Sequence, residues 1–221
     1  MAQGTRRPGR PRGVQQDPAA RRERLLSAAE QAIRTYGPDV SMDQIAHHAD
    51  VSRATVYDNF ENRAALNSEI IDRFGAPLLH DLVTRLGTSL PPEAIVRTGL
   101  ATYVDHIDAD PEIYRFVVRN IGDDTLFRAI GALLETLVAP ALVDRPEAPE
   151  TAEELAFAAL GAIISATERW SERRTPPRAQ FERTLGDFVW GGLVAAGVAP
   201  NDTPINLASV AALAGVSPDA E

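Results

Sequence analysis

The stretch MDQIAHHADVSRATVYDNF, Met42 to Phe60, holds two short helical patterns separated by Asp50-Val51-Ser52. Ile45 and Ala49, four apart, share one face of the first pattern, and Ala46 is small enough for a neighbouring helix to cross closely. Asp50 begins a turn, because its short polar side chain tolerates left-handed backbone. Val51 can point inward, and Ser52 is a good N-cap for the second pattern. On that second helix Val56 and Phe60 lie one turn apart and serve as anchors. Arg53, Thr55, Tyr57, Asp58 and Asn59 are left facing outward or sideways. A bracing helix, a sharp turn and a second helix free to enter a major groove are the parts of a helix-turn-helix. Arg suits guanine and Asn suits adenine. The same pattern also describes an ordinary helical hairpin with a solvated face.

Working outward, Ser41 caps the bracing helix. Upstream, Asp17 and Pro18 open a helix whose apolar positions run Leu25, Ala28, Ala29, Ala32, Ile33 and Tyr36, and Gly37-Pro38 stops it. Downstream, a fourth segment starts near Asn62 with Leu66, Ile70 and Phe74 on one stripe, and "GAP" at 75–77 breaks it. Gly75 and Pro77 read either as a pivot or as the simple end of that helix. Pro91-Pro92 opens a fifth helix and Pro111 a sixth; a seventh runs from about Asp123 to Pro140. The eighth (about 151–173) and ninth (about 178–197) are the most apolar, with "TPP" at 175–177 between them. Period-two β-branched clusters are nearly absent. The expected fold is all-α with about nine helices.

The net charge of −9 argues at first against nucleic acid, but its distribution reverses that. Residues 1–63 carry ten Arg against eight acids, and residues 64–221 carry twelve against twenty-three. An Arg-rich front on an acidic body suits a nucleic-acid-binding end joined to something else. All 22 basic residues are Arg, which reads as base-composition bias in the coding DNA. The absence of cysteine excludes disulfides and thiolate metal sites. No apolar run follows the basic N-terminus and no long uncharged apolar stretch exists, so a cytoplasmic protein without a membrane partner is expected.

The stretch from Arg21 to Leu66, with "RLLSAAEQAIRTYG" and then "VSMDQIAHHADVSRATVYDNFENRAAL", resembles the DNA-binding domain of the TetR family of bacterial transcriptional regulators. In that family the recognition helix ends on an aromatic residue, two residues, Phe, then a polar link and a basic residue. Tyr57, Phe60 and Arg63 occupy those places. The sequence departs from the family at Asp50, where Gly is usual, at Arg63, where Lys is usual, and in placing an acid, Asp58, close to the groove. Asp58 repels phosphates yet can accept from cytosine. The resemblance implies that Ser41, Ser52, Thr55, Tyr57 and Arg63 position phosphates, while Arg53, Ala54, Asp58 and Asn59 lie nearer the bases.

The resemblance divides the chain into an arm (1–16), a three-helix helix-turn-helix domain (17–63), a larger ligand-binding and dimerisation domain (64–199) and a tail (200–221). In the arm, "RRPGRPRG" places Arg6, Arg7, Arg10 and Arg12 around Gly-Arg-Pro. It reads as an AT-hook in a narrow minor groove, or as a plain basic tail. On the eighth helix Phe157, Leu160, Gly161 and Ile164 recur at helical spacing, as do Phe181, Leu185, Phe188 and Gly192 on the ninth. The resemblance implies a four-helix bundle with the same pair from a second subunit; burial within one subunit explains the same pattern. Tyr103, Phe116, Phe127 and Trp170 are candidate apolar walls of an effector site, with His106, Arg119 and Asn120 as polar anchors, although each also suits core or surface. Few charges on the inner faces favour a lipophilic effector.

The expected function is a homodimeric repressor released from a palindromic double-stranded DNA operator by a small molecule, with no cofactor and no metal. An effector-binding protein without operator recognition is one alternative, favoured by Asp58. An enzyme is the other, disfavoured because no acid-His-nucleophile spacing or Gly-rich phosphate loop occurs. Asp108, Asp110, Asp123 and Asp124 flank helix starts, where carboxylates act as caps. The tail segment "ASVAALAGVS" (208–217) echoes residues 43–52 but has no following helix, and is expected to be a short packed or frayed piece.

Overall fold

A computed structural model describes residues 17–120, 125–139, 142, 148–200 and 203–206. The first three helices are α1 (Pro18–Tyr36), α2 (Met42–His48) and α3 (Arg53–Asn59). Each begins where local chemistry supplies a cap. Asp17 accepts from the Ala19 amide at 3.1 Å. Ser41 and Gln44 form a reciprocal capping box on α2. Ser52 accepts from the Thr55 amide at 3.1 Å.

The turn between α2 and α3 is a Schellman closure. The Val51 amide donates to the Ala46 carbonyl at 3.0 Å and the Asp50 amide to the His47 carbonyl at 3.1 Å. Asp50 therefore sits at φ +52°, in the left-handed region. An L-residue there is held at a cost of about 1 kcal/mol that glycine avoids, while glycine gives back part through its freer unfolded chain. Asp50→Gly is accordingly expected to raise unfolding stability by about 0.5–1 kcal/mol. A denaturation midpoint that falls would show that the Asp50 side chain itself supports the turn.

Next come α4 (Arg63–Leu86), α5 (Pro92–Ala109), α6 (Pro111–Asn120), α7 (Thr125–Val138), α8 (Ala148–Arg173) and α9 (Arg178–Ala195). Helix α4 overturns one expectation, for it runs straight through Gly75-Ala76-Pro77. Proline removes a backbone donor and costs about 3 kcal/mol inside a helix. Here Ile70, Ile71, Leu78 and Val83, on both sides of the break, are all buried. At about 1.5–3 kcal/mol for each such side chain, the packing outweighs the lost bond. Gly75 and Pro77 thus lie in mid-helix and do not end it.

Two short strands, β1 (Ser89–Leu90) and β2 (Ile205–Asn206), pair antiparallel, with Leu90 opposite Ile205. Part of the expected tail is therefore tied to the body; residues 208–217 lie outside the described residues. One core joins α1, α2, α3 and the first half of α4, and it takes in Ile113, Phe116 and Val117 of α6. A second joins α5, α8 and α9 around Trp170 and Phe181. Helices α4 and α6 reach from the first core toward the second.

Candidate functional site

Helix α3 is pinned from beneath by Val56 and Phe60, which are 0% and 1% exposed. The Arg22 guanidinium of α1 lies 4.4 Å from the centre of the Phe60 ring. Arg22 also donates to the Asn59 carbonyl and pairs with Glu69 of α4. The C-terminal end of α3 is thus clamped by a cation, which suits the negative end of the helix.

On the outer face, Arg53, Ala54, Tyr57 and Asp58 are exposed. Arg53 Nη1 lies 3.2 and 3.0 Å from the two oxygens of Asp43, at the start of α2. Its guanidinium is 5.5 Å from the Tyr57 ring centre. Asp43 was not anticipated from the sequence, where it reads only as an acid in a first turn. Asn59 turns back, donating from Nδ2 to the Thr55 carbonyl at 2.7 Å, and is half-buried. Thr55 Oγ1 sits 2.9 Å from Ser52 Oγ, so the two hydroxyls form one polar cluster at the helix start. Ser41 is committed to its capping box.

Arg63, which the resemblance assigns to phosphates, also takes part in the fold. Its Nη2 donates to the Val40 carbonyl at 2.7 Å, bracing the loop before α2. That carbonyl precedes the helix and has no partner in the helical ladder, so the long Arg side chain folds back to satisfy it. The arm residues Arg6, Arg7, Arg10 and Arg12 lie outside the described residues.

The body encloses an apolar cavity of about 140 Å³ between α4, α5, α6, α7, α8 and α9. Of the expected ligand residues whose side chains are described, only Tyr103 lines it. Phe116 is 1% exposed in the first core, packed among helices that carry α3. Trp170 stacks on Phe181 at 4.8 Å between ring centres, inside the second core. His106 bonds Asp81 at 3.0 Å. Arg119 pairs with Asp39, and Asn120 accepts from Asn67 at 2.7 Å. The partners, two on α4 and one in the loop between α1 and α2, lie 25 to 80 positions away, where spacing carries no signal. The Phe127 side chain lies outside the described residues. The cavity's second hydroxyl, Tyr114, was missed, since nothing in "EIYRFVVRN" separates it from core.

Several side chains expected at a subunit interface are used inside the subunit. Leu160 and Ile164 line the cavity, and Phe181 and Leu185 are buried at 7% and 6% exposure. Phe157 is half-buried, with its ring against Gly131 of α7. The outward face of α9 holds Phe188, 69% exposed, beside Gly192. Around Gly161, Gly191 and Gly192 nothing stands within 4 Å of where a side chain would begin. The helical period explains the split: an apolar ring on most of the circumference serves the cavity on one side and open space on the other.

Asp110 accepts from the Ile113 amide at 3.4 Å as a cap and pairs with Arg34, while Asp108 pairs with Arg174 and Arg178. Among the described residues no three His, Asp or Glu side chains gather in a set that could hold a metal ion. No helix among them is long and apolar enough to cross a membrane.

Comparison with known proteins matches both ends of the chain. Residues 25–70 match the family model described as bacterial regulatory proteins, tetR family. Residues 81–204 match a tetracyclin repressor-like C-terminal domain. An uncharacterised HTH-type transcriptional regulator of Mycobacterium tuberculosis is 28% identical over 171 residues, spanning 73% of this chain and 72% of that protein. The HTH-type transcriptional activator FasR of Mycolicibacterium smegmatis is 24% identical over 201 residues, 86% of this chain and 91% of the relative. A solved tetR-family regulator from Streptomyces coelicolor shares the fold at TM-score 0.61 and 23% identity, covering 87% of this chain and 88% of that one. A helix-turn-helix clamped on a helical body, with both parts matched along most of their length, places the chain in the TetR family of bacterial transcriptional regulators.

Proposed function

We propose that the protein is a homodimeric repressor that leaves a two-fold symmetric operator when a small lipophilic effector fills the cavity. The observation that carries this reading is the shared use of two helices. Helix α4 gives Leu66 and Ile70 to the core beneath α3, and Phe74, Leu78 and Leu82 to the cavity wall. Helix α6 gives Phe116 to the same core and Tyr114 and Val118 to the wall, while Val117 belongs to both. A molecule that moves the wall displaces the support of α3. Coupling of about 1–3 kcal/mol is usual for such linkage, and near-complete release needs about 5.5 kcal/mol of differential binding.

On the DNA, Arg53 held by Asp43 is the base reader, with Ala54 and Asp58 beside it. Tyr57, with Ser52 and Thr55 at the helix start, contacts phosphates. Dimerisation through the exposed face of α9 sets two α3 helices about one DNA turn apart. Selection of bound sequences from random DNA is expected to return an inverted repeat with that spacing. Within it, Arg53→Ala should relax base preference at one position of each half-site, whereas Tyr57→Ala should weaken all sites alike. Retention of the preferred site by both variants would sink this reading.

A second sign of regulation is favoured by one observation, the M. smegmatis relative being an activator. Transcription from the selected site with and without the protein separates the two: a repressor lowers the basal signal, an activator raises it.

A further inference from the structure

Among the described residues the cavity wall carries the Tyr103 and Tyr114 phenols and the Trp190 indole, and the order of hydrogen bonding at the two phenols sets what a molecule meeting them must present. Given that the cavity is the effector site proposed above, the geometry points to a slender, uncharged lipophilic alcohol, or its N–H counterpart, as the molecule it takes.

Charge is excluded first. Among the described residues no Arg, Asp, Glu or His side chain lines the cavity. An ion placed there would lose its hydration with no partner, at a cost of several kcal/mol after relaxation. Shape follows from the helices. The wall runs from Phe74 to Leu82 on α4 and from Ala156 to Ile164 on α8, eight residues or about 12 Å of helix in each case. Its volume of about 140 Å³ resembles that of an engineered cavity, about 150 Å³, that takes benzene. Such a volume spread along that length makes a narrow slot, suited to a single chain or slim ring.

The hydrogen-bond donor requirement comes from the phenols. The Tyr114 hydroxyl lies 3.4 Å from the Ile164 backbone carbonyl, which can only accept, so Tyr114 spends its one proton there. Tyr103 then donates its proton to the Tyr114 oxygen, 3.3 Å away. With both protons engaged, Tyr103 offers the cavity only lone pairs. An incoming hydroxyl donates to them, and accepting that proton strengthens the onward bonds of the relay. At Tyr103 an ester or ketone presents a second acceptor to an acceptor and must break the relay to bond there. Burial pushes the Tyr114 phenol up to about 12 and raises Tyr103 well above its ordinary value, so both protons are in place at neutral pH.

The test uses the purified full-length protein with hexanol, methyl hexanoate and hexanoate, measured by calorimetry and by the shift in thermal unfolding. Hexanol is expected to bind about tenfold tighter than the methyl ester, with the anion weakest. Tyr103→Phe should lower hexanol affinity about tenfold and leave the ester unchanged. Tyr114→Phe frees the Tyr103 proton, so the ester should gain on hexanol. If the ester or the anion binds as well as hexanol, or if Tyr103→Phe weakens all three alike, the alcohol preference is wrong while the effector site stands. If none binds to protein whose unfolding is otherwise cooperative, the effector-site reading itself fails and takes the alcohol with it.

Discussion

Phe188→Glu is expected to give a folded monomer that holds operator DNA at least about a hundredfold more weakly, because the second half-site no longer benefits from millimolar effective concentration. Phe188 is 69% exposed, and nothing within the subunit crowds Gly191 or Gly192 beside it. The substitution therefore changes monomer stability by no more than about 0.5 kcal/mol, as for surface positions elsewhere. In the proposed two-fold assembly the same α9 face would meet its own copy, so one substitution would bury two carboxylates in place of two rings. Sedimentation velocity reports the oligomer and band-shift titration the affinity. Phe188→Leu, which keeps an apolar contact, should remain dimeric. A dimer that survives Phe188→Glu with full affinity would place the interface elsewhere.

The second large effect is expected at Phe60. This ring is 1% exposed, lies in the core beneath α3, and has the Arg22 guanidinium over its face. Phe60→Ala removes the ring and leaves a cavity, a change that costs about 3–5 kcal/mol in buried sites. Since domains unfold at about 5–15 kcal/mol, that is a substantial share of the total. It also strips the Arg22 clamp of its lower surface and frees the C-terminal end of α3. DNA binding should fall together with stability, in contrast to Phe188→Glu, where stability is kept. Phe60→Leu should cost less than half as much, because most of the volume remains. Urea denaturation checks both; a loss under about 1 kcal/mol for Phe60→Ala would mean that the ring does not anchor the helix.

If Arg53 reads a base, Asp43 is expected to act on recognition by way of that neighbour. It meets the guanidinium of Arg53 through both oxygens, and so orients the group that the proposed function assigns to a base edge. The pair is exposed, at 56% and 67% of the side-chain surface, so it contributes little to stability. Its effect belongs to specificity: Asp43→Asn should broaden base preference at the position read by Arg53 while leaving the unfolding midpoint in place. Sequence selection with the variant measures the first, thermal unfolding the second.

The sequence by itself determined the starts of α1 through α6 and the shape of the turn. Asp17, Ser41, Ser52 and Asn62 each bond an amide two or three residues on, and Asp50 adopts its left-handed conformation through carbonyls within four residues. Signals of that range survive in a string of letters. The inward positions Val56 and Phe60 were legible for the same reason, since period alone marks them.

Only the tertiary structure decided what depends on partners far along the chain. Arg63 shows no task within the fold until Val40, twenty-three positions earlier, is seen to accept from its guanidinium. Arg22 carries no visible task until Asn59 and Glu69 fold against it. Pro77 reads as a stop until burial on both sides of it carries α4 onward. The apolar faces of α8 and α9 could not be divided between the subunit's own cavity and an exterior surface, because side chains of equal hydrophobicity serve both. Hydrophobic burial has no direction along the sequence; three-dimensional packing assigned Leu160 inward and Phe188 outward.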